Sequence, residues 1–498
     1  MKKNRVFFNL FTGIFSQVVI IVLGLIVPKI IINNYGSDTN GLTSTITQIF
    51  SYLALLEAGI STAARNALYK PIKENDKEGV SFWMSSSRRY YRKISYIYLL
   101  AVAILSISLP FIFKTEVSYW TIFFYIIFEG ITSIISFYFI NTWTCFLGAK
   151  GDNYIVNTLA LFNKLLCLGA KIILALLSVN IVYIQVGYFV ASLIQLGIYY
   201  VYMKKKYSWI DYKKAPKDVK LKDRNAFIVN EIAWTIFSST DMIILSTFVA
   251  TTLASVYSVY NMVFIALNGL ISSAYSSINY LLGQTFVEDI EKYKRIHDGF
   301  NSVFMALITA LMGVCYFLII PFIKLYTANI TDVEYVYEWL PLLFCLVQML
   351  SWSRYVAGNL AGIAGYAKQI SVISLIEAII NVVVSIVLVN IWGITGVLLA
   401  TVVALPIKVI ICNYLADIKI MKRSSTRTII ILGVNFLLFG ICVIIRPFVN
   451  FNINDFISFC KYGVILTLLF ILVSAVVNIA TNPSILKTMS NIIKRRDS

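Results

Sequence analysis

The stretch "YMKKKYSWIDYKKAPKDVKLKDR", Tyr202–Arg224, divides the chain. It holds nine Lys/Arg, the densest basic run in the sequence. Its Pro216 forbids a continuous helix, because the ring removes a backbone donor and clashes with the preceding turn. Apolar blocks of similar length flank it, Val6–Met203 and Ala226–Ala416. We read it as a cytoplasmic linker between two bundles of membrane helices. An ordinary loop on the positive side of a membrane protein has the same composition; the central position adds the division into halves.

The blocks on either side set the class. Of 498 residues, 59% are hydrophobic and 13% charged, and the mean hydropathy is +0.80. Soluble domains are typically about 45–50% apolar and about 25% charged. The composition therefore predicts a polytopic membrane protein with little soluble mass. The net charge of +18 is spread over loops between apolar spans, so it does not point to nucleic acid. Seven scattered cysteines without a CxxC predict neither a disulfide framework nor a zinc site. A single histidine, His297, excludes a metal cluster of histidines and a Ser-His-Asp triad. The opening "MKKNR" and its apolar sequel imitate a signal peptide. The apolar run is too long and lacks a small-residue cleavage site, so a retained first helix is expected.

About 20 apolar residues cross a bilayer as a helix. Fourteen stretches qualify: 6–32, 42–69, 89–113, 119–143, 154–178, 181–203, 226–250, 253–280, 300–323, 335–361, 368–390, 393–416, 428–446 and 457–479. An even count puts both termini on one side. The loops on that side carry 32 Lys/Arg, whereas the opposite loops carry only Lys114, Lys324 and Arg446. By the positive-inside rule the termini and the 203–225 stretch are cytoplasmic. The outer loops are too short for an extracytoplasmic catalytic domain.

The halves show a weak repeat. Asn9, Thr12, Gly13, Ser16 and Gln17 form a polar stripe at helical spacing in the first span, and Asn230, Trp234, Ser238 and Asp241 form one in the seventh. "GDNYIVN" (151–157) opens the fifth span and "GYAKQIS" (365–371) the eleventh. The fold expected is all-α: an N-terminal six-helix lobe over 1–203, a basic linker over 204–225, a second six-helix lobe over 226–420, and two extra helices with a basic tail over 421–498. Six helices per unit make such repeats parallel, with the substrate path between them.

Ionisable residues inside the spans include Lys29, Glu57, Arg65, Glu129, Lys164, Lys171, Glu231, Asp241, Arg354, Glu377 and Lys408. Lys29, Arg65, Glu231 and Lys408 lie near helix ends, within snorkelling distance of water. At about 3 kcal/mol each, exposing the other seven to lipid would cost about 20 kcal/mol, more than the about 5–15 kcal/mol stability of a typical fold. They must face one another or a hydrated cavity. Internal salt bridges, with Lys164 or Lys171 on Glu129 or Glu377, are one reading; a polar cavity is the other. Lys164 and Lys171 share one helix face, about 10 Å apart along the axis. A lumen lined by Arg65, Lys164, Lys171 and Arg354 would suit an anion such as a diphosphate. Glu57, Asp241 and Glu377 are candidates for coupling to H⁺ or Na⁺, and Trp234, Asn261 and Asn268 for contacts to a sugar. No phosphate-binding GxxxxGK[ST] loop occurs, so ATP is not the direct energy source on this chain, and no cofactor or resident metal is expected.

Several stretches carry a family resemblance. "YGSDTNGLTSTITQIFSYLALLEAGISTAARNAL" (Tyr35–Leu68) resembles the first hairpin of the Wzx-type polysaccharide flippases, which belong to the multidrug/oligosaccharidyl-lipid/polysaccharide exporter superfamily. The features that match are Tyr35-Gly36, Gly41-Leu42, Leu56-Glu57-Ala58-Gly59 and Arg65. "STDMIILSTFVATTLASVYSVYNMV" (Ser239–Val263) is similar to the seventh-to-eighth helix segment, with Asp241 and Tyr257-Ser258, and "WGITGVLLAT" (Trp392–Thr401) to the entry of the twelfth helix. The resemblance implies two lobes in a V, with alternating access around a cationic lumen. It implies an undecaprenyl-diphosphate-linked oligosaccharide as cargo, a bacterial cytoplasmic membrane location, and a polymerase and glycosyltransferases as pathway partners. It implies no enzymatic activity. A lipid II flippase and a multidrug exporter share the fold and stay open as alternatives. A membrane polysaccharide polymerase fits less well, because it would need a large catalytic loop.

Overall fold

A computed structural model of the chain describes residues 2–57, 60–213 and 224–483. All regular structure there is helical. Ten stretches of the described residues are long and apolar enough to cross a membrane; the chain is an all-α polytopic membrane protein. It divides into two compact units, Met1–Ser255 and Val256–Ser498.

The first unit begins with α1 (Lys2–Ala54), continuous except at Gly36 (φ 83°, ψ 167°). It continues through α2 (Ile60–Lys73), α3 (Lys77–Ile112), α4 (Tyr119–Ile135), α5 (Asn141–Ala149), α6 (Asn153–Leu176), α7 (Ile181–Lys206) and α8 (Arg224–Phe248), into the start of α9 (Thr251–Glu288). The second unit takes the rest of α9, then α10 (Ile290–Tyr326), α11 (Leu340–Ser353), α12 (Tyr355–Ile363), α13 (Ala367–Tyr414), α14 (Thr426–Ile445) and α15 (Phe456–Thr481). A break at Gly393 (φ 54°, ψ −129°) interrupts α13.

One local motif occurs in both units. Each of the nine-residue helices α5 and α12 ends in the same turn. After α5, Lys150 N–H bonds to Phe146 C=O, Gly151 to Gly148 and Asp152 to Leu147. After α12, Ala364 bonds to Leu360, Gly365 to Gly362 and Tyr366 to Ala361. The spacing of donors and acceptors is identical. Gly151 (φ 82°) and Gly365 (φ 89°) supply the left-handed residue that such a C-terminal turn requires. The openers "GDNYIVN" and "GYAKQIS" are thus two copies of one stop-and-restart. Each short helix also follows a break: a π turn at Ser136–Ile140 before α5, and Arg354 between α11 and α12.

The basic stretch begins inside α7, which runs to Lys206. Residues 207–213 then fold back onto the first unit. Tyr207 and Ile210 join the hydrophobic cluster of Trp143, Phe146, Leu147 and Tyr199. Ser85 Oγ donates to Tyr212 C=O at 2.8 Å, Trp143 Nε1 to the Tyr212 hydroxyl at 3.0 Å, and the Arg88 guanidinium stacks over the Tyr212 ring. This part of the stretch is anchored on the first unit. Residues 214–223 lie outside the described residues.

In the first unit, hydroxyls stitch α1 to α8 and to the start of α9. Asn40 Nδ2 donates to Ser255 Oγ at 2.8 Å, Ser51 Oγ lies 3.0 Å from Ser239 Oγ, and Thr45 pairs with Ser246 and Tyr52 with Thr240. Asp38 accepts from Thr115 Oγ1 at 2.7 Å, from the Glu116 N–H at 2.8 Å, and from Thr251. The backbones approach so closely that a Cβ on Gly41 would fall 1.6 Å from Thr251 O. In the second unit a buried amide pair holds the last two helices: Asn435 and Asn478 exchange hydrogen bonds at 2.9 and 3.1 Å, and Thr309 of α10 donates to Asn435 at 3.0 Å. Such polar contacts join helices where lipid leaves no hydrophobic drive.

Candidate functional site

Polar groups in the first unit gather where α1 gives way to α2. Glu57 closes a short 3₁₀ turn, Leu55–Glu57. Tyr91, fully buried on α3, donates to Glu57 Oε1 at 3.4 Å, and the Asn141 side chain also hydrogen-bonds this carboxylate. Cys145 Sγ sits 3.4 Å from the Tyr91 hydroxyl and 3.5 Å from Ser61 Oγ. Glu57 and Arg65 both lie within electrostatic reach of Cys145. Arg65 is half-buried, and its Nε has no hydrogen-bond partner among the described residues.

A second cluster spans α4, α6 and α7. Gln185 hydrogen-bonds the Glu129 carboxylate, and Lys171 lies within its electrostatic reach. Tyr125 bonds to Gln185 and to Thr43 of α1, and Tyr188 lies close by. Lys164, two turns before Lys171 on α6, is exposed. No carboxylate pairs with it among the described residues. Asp241 is buried on α8 near Tyr52.

Glu377 is the centre of charge in the second unit. Arg354 Nη1 donates to both of its oxygens, and Lys408 Nζ lies 3.4 Å from Oε2. All three are largely buried, at 7%, 2% and 16% exposure. Lys408 does not snorkel to a helix end as expected; it completes a triad with excess charge of one cation. Asn268 Oδ1 accepts from Trp352 Nε1 at 2.8 Å, two residues before Arg354. Asn261 is half-buried on α9. The side chain of Trp234 lies outside the described residues, as do those of Asn9, Asn230 and Ser238.

Chemically, these groups differ. Arg354 spends its Nη1 on Glu377. Among the described residues no carboxylate pairs with Arg65 or Lys164. Glu57, ringed by hydroxyl, amide and thiol, accepts hydrogen bonds and has no cation bonded to it among the described residues. Sequence reasoning missed Tyr91, Asn141, Cys145 and Gln185. Only Gln185 had a legible signal, as an amide in the apolar run "IVYIQVGYF".

Neither a protein-family model nor a curated protein sequence matches the chain. Solved structures do. A multidrug resistance MATE family transporter of the MOP superfamily, in an inward-facing conformation, aligns with TM-score 0.69 and 12% identity, over 82% of this chain and 99% of that one. The lipid II flippase MurJ, inward closed, aligns with TM-score 0.67 and 14% identity, over 93% of this chain and 97% of that one. The chain carries the fold of these two transporters. A MOP superfamily transporter from Pyrococcus furiosus, described as having a binding pocket of reversed polarity, aligns with TM-score 0.60 and 14% identity, over 85% of this chain and 97% of that one. At these identities the likeness concerns the fold and leaves the Wzx-type assignment to functional argument.

Proposed function

We propose that the chain is a non-enzymatic flippase for a saccharide carried on a polyprenyl diphosphate, working by alternating access. The observation that carries this reading is that Arg65 and Lys164, in the first unit, have no carboxylate partner among the described residues. A cation held among apolar helices is costly, and an anionic cargo offsets that cost. The alignment with the lipid II flippase over 93% of the chain supports a lipid-borne diphosphate. Within that class lipid II is the nearer expectation, and the undecaprenyl-diphosphate-linked oligosaccharide repeat unit of surface polysaccharide synthesis is the other. Arg65, Lys164, Lys171 and Arg354 are the proposed cargo contacts, with Asn261, Asn268 and Trp234 toward the sugar. Glu57, Asp241 and Glu377 are proposed for ion coupling.

This reading includes fourteen spans, with the breaks at Gly36 and Gly393 dividing α1 and α13. It also includes two six-helix lobes plus two C-terminal helices, a bacterial cytoplasmic membrane, cytoplasmic termini, and a polymerase and glycosyltransferases as pathway partners. A second reading, multidrug export, is favoured by the TM-score of 0.69 to the MATE transporter and by the Glu57 carboxylate, which is bonded to no cation among the described residues. Proteoliposomes separate the two. A fluorescent polyprenyl-diphosphate disaccharide in the inner leaflet should become accessible to an external quencher faster than in protein-free vesicles. Uptake of a cationic dye without any such flipping would instead establish the exporter.

A further inference from the structure

A cavity of about 260 Å³ opens where α10 and α14 leave their apolar stretches, lined by Lys294, Arg295, Asp298, Arg423, Ser424, Thr426 and Arg427. Its floor is a buried ion network. Arg423 Nη2 and Nη1 donate to the two oxygens of Asp298 at 2.6 and 2.8 Å, and its Nε donates to Asp417 at 3.0 Å. Both carboxylates are nearly inaccessible, at 2% and 1% exposure. Arg423 thereby spends its donors on the floor and ties the segment before α14 to α10. The rim is different. Arg427 is 68% exposed and touches Asp298 only at 3.4 Å; Arg295 is exposed; Lys294 pairs with Glu291, itself 70% exposed. The hydroxyls of Ser424 and Thr426 complete the rim.

We propose that this rim holds a phosphate group, presented by an anionic lipid headgroup or as free phosphate. Three rim cations, with Arg423 already bonded to both buried carboxylates of the floor, leave positive charge facing the hollow. Guanidinium forks match phosphate oxygens, and hydroxyls donate to the remaining ones. Apolar helix begins at Phe300 on α10 and at Ile429 on α14, so the rim stands at the depth of lipid headgroups. Basic pockets between membrane helices at that depth take phosphorylated headgroups. The site is separate from the proposed cargo contacts and does not depend on the flippase reading.

The test uses the full-length protein purified in detergent. Native mass spectrometry after addition of phosphatidylglycerol or phosphatidylcholine reads lipid adducts; thermal melting with millimolar inorganic phosphate reads the free anion. The Arg295→Gln/Arg427→Gln variant keeps the Arg423 bonds to Asp298 and Asp417, and Lys204→Gln/Lys206→Gln is the control for general loss of basic charge. Phosphatidylglycerol adducts that weaken about tenfold in the rim variant and not in the control, with little phosphatidylcholine bound, assign the phosphate to a lipid. A shift in melting with inorganic phosphate that disappears in the rim variant, without lipid preference, assigns it to a soluble anion. Equal binding of both probes by wild type and rim variant overturns the proposal.

Discussion

Arg354 Nη1 lies 2.7 Å from each carboxylate oxygen of Glu377, and the residue that makes this contact stands at the joint between α11 and α12. Lys408 shares the same carboxylate. The two cations are therefore not equivalent to Glu377 in what their loss would leave behind. Without Arg354, Lys408 still balances the carboxylate. Without Glu377, two buried cations face each other.

The first prediction follows from that asymmetry. Glu377→Gln should lower stability by about 3–5 kcal/mol, the usual effect of stranding a buried charge, and Arg354→Gln by distinctly less. Thermal melting of the purified variants by size-exclusion chromatography ranks them. Equal losses would mean that Lys408 does not compensate.

Cargo binding should depend on the cations that have no carboxylate partner among the described residues. A hydrogen bond to a charged group is worth about 1.5–3 kcal/mol, so Arg65→Gln and Lys164→Gln should each weaken cargo binding roughly ten- to a hundredfold. Lys164→Arg should be milder, because charge decides there. Flipping rates in proteoliposomes, at matched protein content, provide the measurement. Normal rates in both Gln variants would move the cargo path elsewhere.

Three glycines separate backbone cost from steric cost. Nothing lies within 4 Å of a Cβ built on Gly151 or Gly365, so alanine there meets only the left-handed φ, worth about 1–2 kcal/mol. The two losses should be alike, since both sites need only the left-handed φ. Gly41→Ala should be far worse, because its Cβ would overlap the Thr251 carbonyl. Melting temperatures of the three variants check the order.

Topology is open to chemistry. Ser208 is exposed just after α7. In a cysteine-free background, Ser208→Cys should resist an impermeant thiol reagent in intact cells and react after permeabilisation. Labelling in intact cells would invert the proposed orientation.

The pattern of apolar runs made the helices legible, because crossing a bilayer demands length and hydrophobicity that nothing else in the chain imitates. The openers at Gly151 and Gly365 were legible for a local reason: a helix stop needs a left-handed residue. Pairing was not legible. Glu377 finds Arg354 and Lys408 through tertiary packing, and periodicity along one helix carries no information about the facing helix. The network of Asp298, Asp417 and Arg423 was hidden by the same averaging that revealed the loops, since a basic segment reads as solvated even when its carboxylates are buried. Tyr91 and Cys145 look like ordinary apolar filler until Glu57 is placed beside them.

The stitches between α1 and α8 described above are hydroxyl to hydroxyl. Each is worth only about 0.5–1.5 kcal/mol net, because water makes nearly the same bond. A joint of leucines would resist wetting, and a joint of buried ion pairs would strand charges on parting. This one gives up little when solvent enters: Ser51 and Ser239, or Thr45 and Ser246, exchange one oxygen neighbour for another. The seam can thus be fastened dry and unfastened wet at nearly the same free energy, with no covalent change and no proton moved.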